Sequence, residues 1–123
     1  MMKSGFEYWT LIGQTAAPCG VEDWAAMFGD MARRRVALTR IGPFEVSTVF
    51  LGLNHNFSRR GAPLLFETMT FGGGGFDMEG MNDCDGRWST WAEAEAGHRR
   101  AVAYLKAQYC APGEEPVEVE AEA

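Results

Sequence analysis

Apolar side chains recur at helical spacing in the first third of the chain. Val21, Trp24, Phe28 and Met31 fall at i, i+3, i+7 and i+10, which places them on one face of an α-helix. Acidic residues stand in the first turn and arginines in the last, and both placements suit the helix dipole. The pattern therefore predicts an amphipathic helix over residues 21–35 whose apolar face packs on a core.

A second helix is predicted to begin at Thr90. Thr90 and Glu93 form a T-x-x-E capping box, in which each side chain satisfies a backbone amide at the start of a helix. Pro112 ends the ordered part of the chain in this interpretation. The residues expected on one side of the helix are Trp91, Ala94, His98, Ala101, Val102 and Leu105.

Runs of aromatic and β-branched residues predict strands between and before the helices. The runs cover residues 6–12, 35–41, 45–53 and 64–71. Gly42 and Pro43 form the turn between the second and the third run. The glycine-rich segment 72–87 predicts a long mobile loop, with a short strand near Trp88.

The predicted order, β-α-β-β-β-α, indicates the α+β fold class. We expect an antiparallel sheet of about four strands with two helices packed on one face, within a single domain over residues 1–110. The residues expected to share one core are Trp24, Phe28, Val49, Leu51, Leu65, Trp91, Val102 and Leu105.

The formal net charge of -6 is concentrated at the end of the chain. Residues 111–123 are acidic and are predicted to form a disordered tail. Without the five glutamates of this tail, 12 acidic residues face 11 basic ones. The folded part is therefore nearly neutral, which argues against a nucleic-acid partner.

The cysteines and the N-terminal residues indicate the cellular compartment of the protein. The three cysteines, Cys19, Cys84 and Cys110, are odd in number and widely spaced, so they predict neither a disulfide framework nor a zinc site. No leader peptide and no apolar run of about 20 residues is visible, which argues against a membrane. We expect a reducing cytoplasm.

The candidate site residues are two histidines and their neighbours. His55, between Asn54 and Asn56, either binds a ligand or belongs to a turn stabilised by its polar side chains. His98 lies on an apolar helix face, which favours a core residue. Glu67 interrupts an apolar strand, so it needs a partner: an arginine, or the two histidines in a cluster able to hold a divalent metal. A structural pair is favoured, and no metal site is predicted.

Basic clusters offer a second kind of site. Arg59 and Arg60, with the arginines at 33–35 and 99–100, could meet a small anionic ligand or form a solvated surface. No nucleophile–base arrangement is visible, so no catalytic residue and no cofactor is assigned. The sequence weighs against an enzyme without excluding one.

Three segments together resemble a family of small uncharacterised bacteriophage and prophage proteins. They are STVFLGLNHNF (residues 47–57), PLLFETMTFGG (63–73) and STWAEAEAGH (89–98), and the resemblance runs from about Tyr8 to Leu105. The glycine-rich segment and the acidic tail depart from the family pattern. The resemblance carries over no site residues.

What the resemblance implies is a phage accessory protein that acts by binding. The first hypothesis is an interaction with a host protein, as an inhibitor of a defence or regulatory protein. The alternatives are a binder of a small molecule such as a nucleotide, and a virion or assembly component that forms a homo-oligomer.

Overall fold

The computed structural model describes residues 8–58, 60–72, 85–110 and 113–119, and it confirms the α+β class. The predicted strand count and order are wrong, because seven strands and three helices occur in these ranges. In chain order they are β1 (Tyr8–Ile12), β2 (Thr15–Cys19), α1 (Val21–Phe28), α2 (Met31–Arg34), β3 (Arg35–Ile41), β4 (Phe44–Phe50), β5 (Phe66–Gly72), β6 (Gly86–Trp88), α3 (Trp91–Tyr109) and β7 (Val117–Glu118).

Five of the strands form one antiparallel sheet in the order β6-β5-β4-β3-β7. The predicted turn between β3 and β4 is confirmed, with Gly42 at φ 56°, a left-handed conformation that glycine adopts without strain. Strands β1 and β2 form a separate hairpin. The hairpin joins the main sheet through a hydrogen bond from the Trp9 amide to the Gly52 carbonyl (2.8 Å) and a bridge between Tyr8 and Leu53.

Helix α3 lies across one face of the main sheet and contacts β3, β4, β5 and β6. Its start matches the predicted capping box: Thr90 Oγ1 accepts from the Glu93 amide, and Glu93 Oε1 accepts from the Ser89 amide, each at 3.1 Å. Gly97 lies against the indole of Trp88, where a Cβ would come within 2.3 Å of the ring. The absence of a side chain therefore lets α3 approach β6 closely.

The buried residues beneath α3 form two apolar clusters rather than one. The first consists of Ile41, Phe44, Val46, Ala101 and Leu105. The second consists of Leu11, Met27, Phe50, Leu65, Phe66 and Ala94.

The predicted single core is therefore wrong in two ways. Leu65 and Leu105 are both buried but lie in different clusters. Phe28 is 46% exposed, and Val49 and Leu51 are half-buried because β4 turns its other side, with Phe50, to the helix.

Element boundaries differ where short-range chemistry competes with the apolar pattern. The helix predicted over residues 21–35 breaks at Gly29 and Asp30, because the Asp30 carboxylate accepts from the Arg33 amide (3.3 Å) and begins α2. The segment 14–20, expected as a loop, contains β2. The short strand near Trp88 is confirmed as β6, and residues 73–84 of the predicted loop lie outside the described residues.

The acidic tail lies partly within the described residues. Within residues 113–119, Val117 pairs with Arg40 and Glu118 pairs with Thr39, so β7 completes the sheet at its β3 edge. The Val119 amide adds a hydrogen bond to the Leu38 carbonyl at 2.8 Å. Residues 117–119 of the tail therefore lie along the β3 edge of the sheet.

Candidate functional site

The loop after β4 holds Asn54, His55 and Asn56, the first candidate residues. Asn54 Oδ1 accepts hydrogen bonds from the amides of Asn56 (2.8 Å) and Leu64 (3.0 Å). The imidazole of His55 donates from Nδ1 to the Leu53 carbonyl at 2.9 Å. These side chains fix the course of the loop, as polar turn residues do.

Asn56 organises the rest of the same loop. Its Nδ2 donates to the carbonyls of Arg60 (2.5 Å) and Ala62 (2.8 Å), and its Oδ1 accepts from the Ser58 amide (3.1 Å). The Arg60 side chain is exposed, and Arg59 lies outside the described residues. Binding of an anion by these two arginines stays a prediction.

Glu67 lies on the sheet face that points away from α3. Its carboxylate pairs with Arg87 at 3.1 Å, which is the structural ion pair that the sequence favoured. His98 lies on the opposite face, so Glu67 and the histidines do not converge. In the described ranges no three His, Cys, Asp or Glu side chains are grouped as metal ligands.

His98 is the centre of a buried polar row between the two apolar clusters. Its Nε2 lies 2.8 Å from Thr39 Oγ1, and its Nδ1 lies 2.8 Å from Thr48 Oγ1. Thr48 Oγ1 lies 2.7 Å from Thr68 Oγ1. The three threonines are fully buried and His98 is 3% exposed.

Each end of this row has a fixed hydrogen-bonding role. At one end, Trp88 Nε1 donates to Thr68 Oγ1 at 3.0 Å, and an indole can only donate. At the other end, Thr39 Oγ1 donates to Glu118 Oε2 at 2.7 Å, and an ionised carboxylate can only accept.

The two ends determine the donor and the acceptor of every hydrogen bond between them. Because Thr39 gives its proton to Glu118, it must accept one from His98, which places the proton of the neutral imidazole on Nε2. His98 Nδ1 then accepts from Thr48, and Thr48 accepts from Thr68. The chain has five protons and five acceptors, and the fifth acceptor is the Glu118 carboxylate at the β3 edge.

The protonation of His98 follows from the same arrangement. Burial lowers the pKa of His98, and the Glu118 carboxylate opposes this shift with a smaller effect. A second proton on the ring would turn Thr48 toward Thr68 and leave the Thr68 proton without an acceptor. The geometry thus favours the neutral ring, and His98 is a structural residue of the core.

Helices α1 and α2 present a different feature, three large apolar side chains that are open to solvent. We use the term apolar stripe for Val21, Phe28 and Met31, which are 50%, 46% and 43% exposed. The sequence predicted that this face is buried, but in α1 it is Met27 that enters the core. Ile12, in the β1–β2 hairpin, is 70% exposed, and Arg33 of α2 donates to the neighbouring Leu11 carbonyl at 2.9 Å.

Arg34 contacts Phe28, the aromatic residue of the stripe. Its guanidinium donates to the carbonyls of Phe50 (2.9 Å) and Phe28 (3.1 Å) and lies 4.1 Å from the centre of the Phe28 ring. That ring also packs on Trp24, with ring centroids 4.9 Å apart. Phe28 therefore has two side-chain contacts that hold it, although nearly half of it is exposed.

A cleft of about 520 Å³ opens between the β1–β2 hairpin and the start of α3. Its lining is mainly apolar and includes Trp9, Leu65 and Trp91, with the polar side chains of Gln14 and Thr90 at its edge. Both tryptophans are half-buried. The volume of the cleft falls within the range of small-molecule sites.

The sequence matches no protein-family model, and no curated protein or solved structure is detectably similar to it. Among the described helices none is both long enough and apolar enough to cross a membrane.

Sequence reasoning missed the residues that the structure brings together. The sequence did not single out Thr39, Thr48 and Thr68 as candidate residues. It also did not predict that Phe28 is exposed. A signal existed in β4, where Glu45 and Ser47 share one side and Val46 and Phe50 the other, so Thr48 falls on the apolar side.

Proposed function

We propose that this protein is a phage- or prophage-encoded accessory protein that binds a host protein in the bacterial cytoplasm through the apolar stripe. One observation carries the proposal: Val21, Phe28 and Met31, which the sequence pattern assigns to a core, are 50%, 46% and 43% exposed. The phage context rests on the family resemblance. The effect on the host protein is inhibition of a defence or regulatory function.

The stripe has the properties of a binding surface. Contiguous exposed apolar groups are a feature of interaction sites, and the three side chains of the stripe come from two helices that follow each other in the chain. Aromatic residues at the centre of an interface carry much of its binding energy. Because Arg34 and Trp24 already hold the Phe28 ring, binding would cost little ordering of that side chain.

The surface also indicates the chemistry of the partner. The stripe and the hairpin tip at Ile12 are apolar, and the guanidinium groups of Arg33 and Arg34 are occupied by carbonyls. The partner should therefore offer apolar side chains rather than phosphates. An amphipathic helix laid along α1 fits this description.

The test is a comparison of two phenylalanines with nearly equal exposure. Phe28 is 46% exposed in the stripe, and Phe71 is 48% exposed in β5. The tagged full-length chain and its Phe28→Ser and Phe71→Ser variants are used to capture proteins from a bacterial lysate, and the affinity of the purified partner is then measured.

We expect Phe28→Ser to weaken binding by about 2 kcal/mol, or roughly thirty-fold in Kd. Phe71→Ser should leave Kd unchanged. Val21→Ser, which removes an exposed side chain from the same stripe, separates lost binding from lost folding. The proposal fails if no host protein is captured, or if Phe28→Ser and Val21→Ser both bind it as the wild type does.

The cleft between the hairpin and α3 supports a second candidate function, the binding of a small planar ligand between Trp9 and Trp91. Native mass spectrometry of the purified protein tests it. A retained small mass that is lost in the Trp91→Ala variant would favour this function, and its retention by that variant would exclude the cleft.

A further inference from the structure

The outer edge of β3 is covered over only part of its length by the described residues. Strand β3 has seven residues, and β7 pairs with two of them, Thr39 and Arg40. Beyond that pair, the Val119 amide bonds to the Leu38 carbonyl. An edge strand with open backbone groups is a template for the addition of another strand.

The described part of the tail lies at the surface of the protein. The Lys106–Glu115 ion pair, 2.7 Å long, is 42% and 73% exposed, so it contributes little. A surface groove of about 510 Å³ is lined by Ala103, Cys110 and residues 113–115 of the tail. Val117 is 58% exposed.

One contact is specific, the hydrogen bond from Thr39 to Glu118. The row runs from Trp88 through His98 to Thr39. Within it, five protons can be donated and four atoms accept them, so the Thr39 proton needs an acceptor outside the row. Glu118 supplies the missing acceptor, although its side chain is otherwise exposed. The core therefore selects for an acceptor side chain at this place on the edge.

We propose that the outer edge of β3 is a binding site for an extended strand of another protein, with a carboxylate side chain opposite Thr39, and that the chain's own tail occupies it in the free protein. The tail segment that now occupies the edge, Val117–Glu118–Val119, indicates the class of ligand. We expect a strand with a glutamate between two apolar residues. The site is separate from the apolar stripe and does not depend on it.

The probe is a peptide with the sequence of residues 113–119, added to isotope-labelled full-length protein and followed by NMR at Thr39, Arg40 and His98. In the Glu118→Leu/Val119→Pro double variant the tail loses both its carboxylate and the amide that bonds to Leu38. Glu115→Leu is the matched control, since it removes one charge from the tail without touching Thr39.

We expect the peptide to bind the double variant and to shift the signals of Thr39 and His98. The wild type and Glu115→Leu should need at least about five-fold more peptide, because the attached tail competes at a high effective concentration. A peptide with leucine at the position of Glu118 should bind about ten-fold more weakly, since it lacks the charged acceptor.

A second measurement uses the wild type alone. Excess peptide should displace the tail and accelerate hydrogen exchange at the Val119 amide. The proposal is overturned if the peptide leaves the double variant unchanged, or if the wild type and the double variant bind it equally. Exchange of tails between copies, seen as a concentration-dependent dimer, would assign the edge to a second copy and overturn it as well.

Discussion

Replacing Thr48 by valine tests the buried polar row at its centre. Valine keeps the shape of threonine and removes the hydroxyl that joins Thr68 to His98. The change leaves the Thr68 proton without an acceptor and His98 Nδ1 without a donor. Each stranded buried group costs about 1–3 kcal/mol, and the absence of the Thr48 hydroxyl offsets part of this. We expect a net loss of about 2–4 kcal/mol in the free energy of unfolding.

Thr48→Ser provides the matched control at the same position. Serine keeps both hydrogen bonds and loses one buried methyl group, which costs about 1 kcal/mol. Thermal melts of the two variants should therefore differ: roughly 8–16 °C below the wild type for valine and about 4 °C for serine. If the valine variant melts at or above the serine variant, the hydrogen-bond reasoning is wrong.

Three further predictions concern α3. Stability should fall as the pH drops below 6.5, because the pKa of His98 is lowered in the folded protein and the unfolded chain then binds more protons. Urea unfolding of the wild type and of His98→Asn from pH 5 to 7 measures this dependence. Equal slopes of the unfolding free energy against pH in the two proteins would contradict the prediction. Gly97→Ala, which normally stabilises a helix by about 1 kcal/mol, should lower the melting temperature because its Cβ meets the Trp88 ring; an increase would show that the ring moves aside. Thr90→Ala should lower the free energy of unfolding by about 1 kcal/mol, measured by thermal unfolding. An unchanged melting temperature would show that the cap does not contribute to the stability of α3.

The parts of the fold that sequence predicts well are those with a strong local signal. The capping box located the start of α3, and Gly42 located the turn between β3 and β4. The pairing of Glu67 with an arginine followed from the cost of burying a carboxylate. In each case one residue type has a narrow set of favourable environments.

The prediction failed where burial depends on distant partners. In β4 both sides carry apolar residues, and the side with Phe50 is buried because α3 and the hairpin cover it. The exposure of Phe28 could not be predicted, since an apolar stripe looks the same whether the chain or a partner covers it. Two-residue strands such as β7 have no sequence pattern of their own.

The attachment of the β1–β2 hairpin bears on how the protein opens. Its backbone bonds to residues 52 and 53, just after β4, and its Leu11 is buried in the second apolar cluster with Phe50 and Phe66 of the sheet. Met27 of α1 lies in the same cluster, so opening the hairpin together with α1 exposes part of the core that the sheet shares. A partner bound at the apolar stripe would oppose this opening, and amide exchange would slow first in α1 and β1.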